Sequence, residues 1–97
     1  MANERLYIVT YDISDPKRLR RVFRILKGFG HWLQFSVFQC RLTGRRRSEM
    51  TASLEEAMNM AQDHILIMDL GPADKVDVRV ESLGRQYEAP KRQPTIV

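Results

Sequence analysis

The stretch Tyr11–Arg21, YDISDPKRLRR, places two carboxylates, Asp12 and Asp15, between an apolar run and a burst of arginines. Three chemistries suit that order: balancing the cations, capping a helix, or holding a divalent cation against a phosphate. Asp15 precedes Pro16. Asp-Pro opens helices well, because the carboxylate accepts from an early backbone N–H and proline has no N–H to leave unsatisfied at the first position. Ser14 is an alternative cap or hydrogen-bond donor. Asp12 closes the apolar run. One carboxylate is a poor metal site alone, but magnesium takes oxygen ligands, keeps several waters and is commonly held by one or two carboxylates plus phosphate. A two-fold dimer that brings two copies of Asp12 together would meet that requirement. Such an ion lowers the pKa of a bound water and stabilises charge on a scissile phosphate. The plainer role for Asp12 is to cap the turn or offset its cationic neighbours.

Charge distribution narrows the partner. The chain of 97 residues carries net +4, yet between Lys17 and Ser48 there are ten basic residues and no acid, against six basic and twelve acidic residues elsewhere. Generic solubility needs no such segregation; a polyanion does, and nucleic acid is the expected one. No acid stands at helical pairing distance within the run, so the first-helix cations Arg18, Arg20, Arg21 and Arg24 are assigned to phosphate contact. The tract Arg45, Arg46, Arg47 is assigned likewise, on a loop.

Other chemistry is poorly supplied. His31 and His64 sit at the starts of separate strands with no metal-ligand spacing, and both read as structural. Cys40, the single cysteine, excludes an internal disulfide and reads as a core or interface residue. No run approaches the roughly 20 apolar residues of a membrane span, and no secretory leader pattern opens the chain. A cytoplasmic protein with no membrane partner is expected.

The elements that must position these residues follow from periodicity. LYIVTY, 6–11, is a strand; Leu19, Val22, Phe23, Leu26 and Phe29 form the apolar stripe of a first helix, which Gly28 and Gly30 end with positive φ. HWLQFSVFQCRL, 31–42, reads as one strand with Leu33, Phe35 and Val37 on one face and Trp32, Phe38, Cys40 and Leu42 on the other. Both faces are apolar, so the face not covered by helices is expected to meet a second copy of the chain. TGRRRSEM is a basic loop opening a second helix with Met50, Leu54, Ala57, Met58 and Ala61 facing the core. HILIMDL is an inner strand, GPAD a turn and VDVRVES a half-exposed strand. Residues 84–97, with two prolines and a terminal TIV, are a tail suited to a short edge strand, optionally added to a partner's sheet. The architecture expected for a single domain over 1–97 is α+β: a ferredoxin-like βαββαβ two-layer sandwich with a short C-terminal fifth strand, paired sheet to sheet as a homodimer.

YDISD closing the first strand, the Arg-rich helix, a glycine, and then QFSVF together resemble the small CRISPR-associated adaptation protein family, the second-numbered Cas protein. The resemblance covers nearly the whole chain. It implies a ferredoxin-like homodimer that acts as a metal-dependent endonuclease on RNA or double-stranded DNA and works with a CRISPR integrase partner in spacer acquisition. It implies that Asp12 is the metal-binding aspartate, that Ser36 and Phe38 belong to the catalytic motif of the second strand, and that Arg21 is a basic position tied to activity. Leu19 and Trp32 stand where some relatives have arginine. The function expected is therefore CRISPR adaptation with a magnesium-dependent phosphodiesterase centred on Asp12. The alternative is a non-catalytic architectural scaffold for an integrase.

Overall fold

The computed structural model describes residues 3–84. The first apolar run forms β1 (Arg5–Asp12), in which Tyr7, Val9 and Tyr11 are buried while Ile8, Thr10 and Asp12 alternate onto the other face. Asp15 caps α1 (Pro16–Lys27) as the sequence predicts: its Oδ2 accepts the Arg18 N–H at 2.9 Å, with Pro16 in the first turn. Val22, Phe23 and Leu26 bury the apolar stripe of that helix.

Gly28 closes α1 at φ −78°, an ordinary right-handed conformation, so the expected positive φ is not what glycine supplies here. The need is spatial and belongs to Gly30. A Cβ on Gly30 would lie 2.4 Å from the Gln39 carbonyl oxygen and 2.5 Å from Cys40 Sγ.

The expected single strand over 31–42 is two: β2 (His31–Gln34) and β3 (Val37–Leu42), an antiparallel hairpin closed by Phe35 and Ser36. The turn carries none of the Gly, Asn or Asp signals of two-residue hairpins. The face assignment survives, with Phe38, Cys40 and Leu42 buried and Phe35 exposed. Thr43 caps α2 (Gly44–Ala57) by accepting the Arg46 N–H at 3.2 Å, so the arginine tract lies in the first turn of a helix and not on a loop. Met50, Leu54 and Ala57 face the core; Ala61 lies beyond the helix and is exposed.

HILIMDL belongs to β4 (His64–Pro72). VDVRVES forms no strand: after Pro72 a 3₁₀ turn, Ala73–Lys75, is tied by the Ala73 N–H to the Glu4 carbonyl at 2.8 Å. The observed order is thus β-α-β-β-α-β, but the second hairpin strand comes from within 31–42. The four antiparallel strands run β2-β3-β1-β4. Both helices cover one face, over a core that includes Tyr7, Val9, Phe23, Leu26, Phe38, Cys40, Met50 and Leu54. The opposite face leaves Leu66, Met68 and Leu70 of β4 exposed at 49%, 42% and 41%. The tail expected to supply a fifth strand lies outside the described residues beyond Gly84. No helix among the described residues is long and apolar enough to cross a membrane.

Candidate active site and nucleic-acid interface

Asp12 ends the central strand β1 on the face turned away from the helices, exposed, and its side chain has no hydrogen-bond or ion-pair partner among the described residues. Asp15 and Asp63 nearby, and Asp69 farther along β4, are occupied. Asp15 caps α1. Asp63 has a fully buried side chain that receives Arg18 Nε at 2.7 Å, Arg18 Nη2 at 3.1 Å and the Asn59 N–H at 2.8 Å. Asp69 receives Arg5 Nε at 3.0 Å and the Gly71 N–H at 2.9 Å. Hydrogen bonding by Arg18 holds the Asp63 carboxyl below its ordinary value against the opposing effect of burial, and Arg5 does the same for Asp69.

Two neighbours flank Asp12. On one side the β1–β3 ladder ends at Thr10 opposite Val37, and the Tyr11 N–H then bonds the Ser36 carbonyl at 3.2 Å. Continuing that register brings Asp12 level with Phe35 and places Ser36 in the same neighbourhood. On the other side Asp12 is the direct cross-strand partner of His64, which is also exposed. Residues directly opposite on an antiparallel pair have Cβ atoms about 5 Å apart. The proximity of His64 and Phe35 to Asp12 was missed from sequence, since only strand register reveals it.

Phe38 is corrected to a packing residue. It is 0% exposed, on the helix-facing side of β3, with its ring centroid 5.4 Å from Phe23 and 6.3 Å from Tyr11. A group so enclosed cannot touch a substrate. Its motif partner Ser36 is half-buried in the turn.

The cations divide. Arg20, Arg21 and Arg24 are exposed on the outer side of α1 with no acidic partner among the described residues, and Lys17 continues the same surface. Arg18 does not belong with them: bound to Asp63, to Gln62 Oε1 at 3.2 Å and to Asp15 at 3.8 Å, it is a structural tie between α1 and the start of β4. Sequence separation hid this, because the pairing acid stands 45 positions away. Arg45 and Arg46 both reach Glu49, at 3.5 Å and 2.7 Å, and Arg46 also lies 4.4 Å over the Phe29 ring. Arg47 sits 5.5 Å over Tyr7. These three are partly engaged, which leaves the α1 surface as the freest cationic patch among the described residues. That patch lies on the helical layer, whereas Asp12 lies on the open face of the sheet.

A single exposed, unpaired carboxylate suits an ion that keeps most of its waters and takes a phosphate oxygen. No group of three or more His, Cys, Asp or Glu side chains gathers among the described residues, so a fully enclosed protein cage is not on offer there.

Comparison with known proteins agrees over most of the chain. The family model for CRISPR associated protein Cas2 matches residues 5–78. A protein of Rhodospirillum rubrum named CRISPR-associated endoribonuclease Cas2 1 is 53% identical over 94 residues, covering 97% of this chain and 92% of its own. A Geobacter sulfurreducens protein named CRISPR-associated endoribonuclease Cas2 is 51% identical, with 97% and 99% covered. Among solved structures, Cas2 of Streptococcus pyogenes superposes with a TM-score of 0.71 at 32% identity, covering 81% of this chain and 99% of its own. With an Asp-terminated central strand, an arginine-faced first helix and this breadth of match, the chain belongs to the CRISPR-associated Cas2 family.

Proposed function

We propose that this chain is an endoribonuclease of CRISPR adaptation in which Asp12 holds a magnesium ion against the scissile phosphate. The relatives named above carry the name endoribonuclease, and the observation that carries the reading here is Asp12: exposed, unpaired, and at the rim of the central strand beside Ser36. When bound, the ion supplies an activated water and stabilises charge on the phosphate. Asp12 would hold it, and the Phe35–Ser36 turn borders the space where the strand would lie. The fold is read as ferredoxin-like, with two copies meeting through the apolar open face of the sheet. That arrangement would bring the two Asp12 side chains toward a shared cleft and leave the α1 cations Arg20, Arg21 and Arg24 outward to hold phosphates. An integrase partner would dock on the same dimer.

The separation of the α1 cations from Asp12 favours a second reading, a non-catalytic scaffold that binds duplex DNA for the integrase. The two readings part on Asp12. Asp12→Asn should abolish magnesium-dependent cleavage of labelled RNA, by at least a hundredfold, while binding persists; each carboxylate-held metal step of this kind is worth several kcal/mol. Cleavage that survives the substitution or a chelator would sink the metal-site reading. Binding with no cleavage in the wild type would establish the scaffold.

A further inference from the structure

Phe35 has φ of +40° at the first position of a two-residue hairpin turn. That position ordinarily belongs to glycine, and a bulky residue there is a true outlier. The strain is not offset by burial, because Phe35 keeps 64% of its surface exposed while Phe38, three residues on, is enclosed. The turn is nevertheless held firmly. Trp32 Nε1–H donates to the Phe35 carbonyl at 2.7 Å, Tyr11 OH approaches the same oxygen at 3.5 Å, and the Tyr11 N–H bonds Ser36 O at 3.2 Å. Residues in sparsely populated conformations persist only where their surroundings over-determine them, and such positions gather at ligand clamps. Here the clamp stands level with Asp12.

We infer that Phe35 is a stacking platform for the nucleotide next to the phosphate held at Asp12, so that the strand entering the site must be single-stranded or locally opened. Any base offers a π-face, so the platform selects for an unstacked base and is tolerant of sequence. The inference deepens the Asp12 reading and rests on it for the identity of the ligand. The Phe35 ring contacts and orients the substrate base, and the chemistry stays at Asp12.

The test uses the full-length protein and a single-stranded RNA oligonucleotide carrying 2-aminopurine at successive positions, in wild type, Asp12→Asn, Phe35→Gly and Phe35→Trp. At one position the fluorescence should be quenched on binding to wild type, Asp12→Asn and Phe35→Trp, and the quench should be lost in Phe35→Gly. Phe35→Gly should weaken binding roughly five- to 150-fold, the range of one aromatic stack. An abasic site at that position should weaken wild type by the same factor and leave Phe35→Gly unaffected. Thermal stability of Phe35→Gly should rise, since glycine relieves the positive φ. An unchanged quench or an unchanged affinity in Phe35→Gly would overturn the inference. So would conversion to a monomer in sedimentation, which would make the ring a contact between two copies of the chain. Should Asp12→Asn cleave like wild type while the quench persists, the Asp12 reading falls and the platform stands.

Discussion

Arg18 and Asp63 are joined by two guanidinium–carboxylate contacts, at 2.7 Å and 3.1 Å, across 45 positions of sequence. Removing Arg18 would leave the buried side chain of Asp63 without its counter-charge, whereas Asp63→Asn takes away the charge that both Arg18 and the Asn59 N–H bond. Asp63→Asn should lower the thermal midpoint by several degrees. Its folded pKa is depressed, so the stability that it contributes is present above the ordinary carboxylate value near 4 and lost as pH falls through the lower folded value. The acid limb of stability against pH should therefore flatten in Asp63→Asn. An acid limb identical to the wild type would refute the assignment.

The same pair separates Arg18 from its neighbours in binding. Neutralising Arg20, Arg21 and Arg24 together should reduce the slope of log K against log salt by roughly 2 to 3 for duplex DNA, since each phosphate contact contributes about 0.9. Arg18→Gln should lower stability and leave that slope unchanged. Fluorescence anisotropy across a sodium chloride series measures both, and equal slope losses would return Arg18 to the phosphate-binding set.

Gly30 tests the close approach of the α1–β2 connection to β3. In Gly30→Ala the new methyl would meet the Gln39 carbonyl and Cys40 Sγ at 2.4 Å and 2.5 Å, backbone and a buried side chain that have little room to move. Overpacking of this kind costs about 1–3 kcal/mol. Urea unfolding followed by circular dichroism should show a midpoint lower by on the order of 1 M. A midpoint within error of wild type would mean that the connection is slack.

Burial pushes the Cys40 thiol up from 9.0 to about 11 and the Tyr11 hydroxyl from 10.0 to about 12. Both groups ionise more readily in the unfolded chain. Their contribution to stability is complete below pH 9 and is lost as pH rises through 11 to 12. Stability should fall on the alkaline side accordingly, and Cys40→Ala should remove the earlier part of the fall. The thiol should react with an aromatic disulfide reagent only at the rate of unfolding; immediate labelling at neutral pH would contradict its burial.

Local chemistry made much of the chain legible before folding. Asp15 and Pro16 announce a helix start because capping involves neighbours in sequence, and the spacing of Val22, Phe23 and Leu26 fixes which side of α1 is buried. Alternation assigned Phe38 and Cys40 to one face and Phe35 to the other even while the turn between β2 and β3 went unseen. That turn escaped because Phe-Ser carries no turn signal; its positive φ accompanies hydrogen bonds from Trp32 and Tyr11 to the Phe35 carbonyl, which are tertiary contacts. VDVRVES failed as a strand for the converse reason: alternation shows what a strand would bury, and the chain's path past Pro72 decides whether a ladder is available.

The residues of the site were nameable from sequence, and their roles were not. Asp12, the arginines and the QFSVF motif are present by type and spacing, and the resemblance that they carry leads to the family. Tertiary structure alone removed Arg18 to Asp63, enclosed Phe38 in the core, drew Arg45 and Arg46 to Glu49, and set His64 and Phe35 beside Asp12. The physical reason is the same in each case. Capping and amphipathic stripes depend on residues within a turn or two of one another, whereas ion pairing, burial and cross-strand adjacency depend on which distant segments the sheet brings into register.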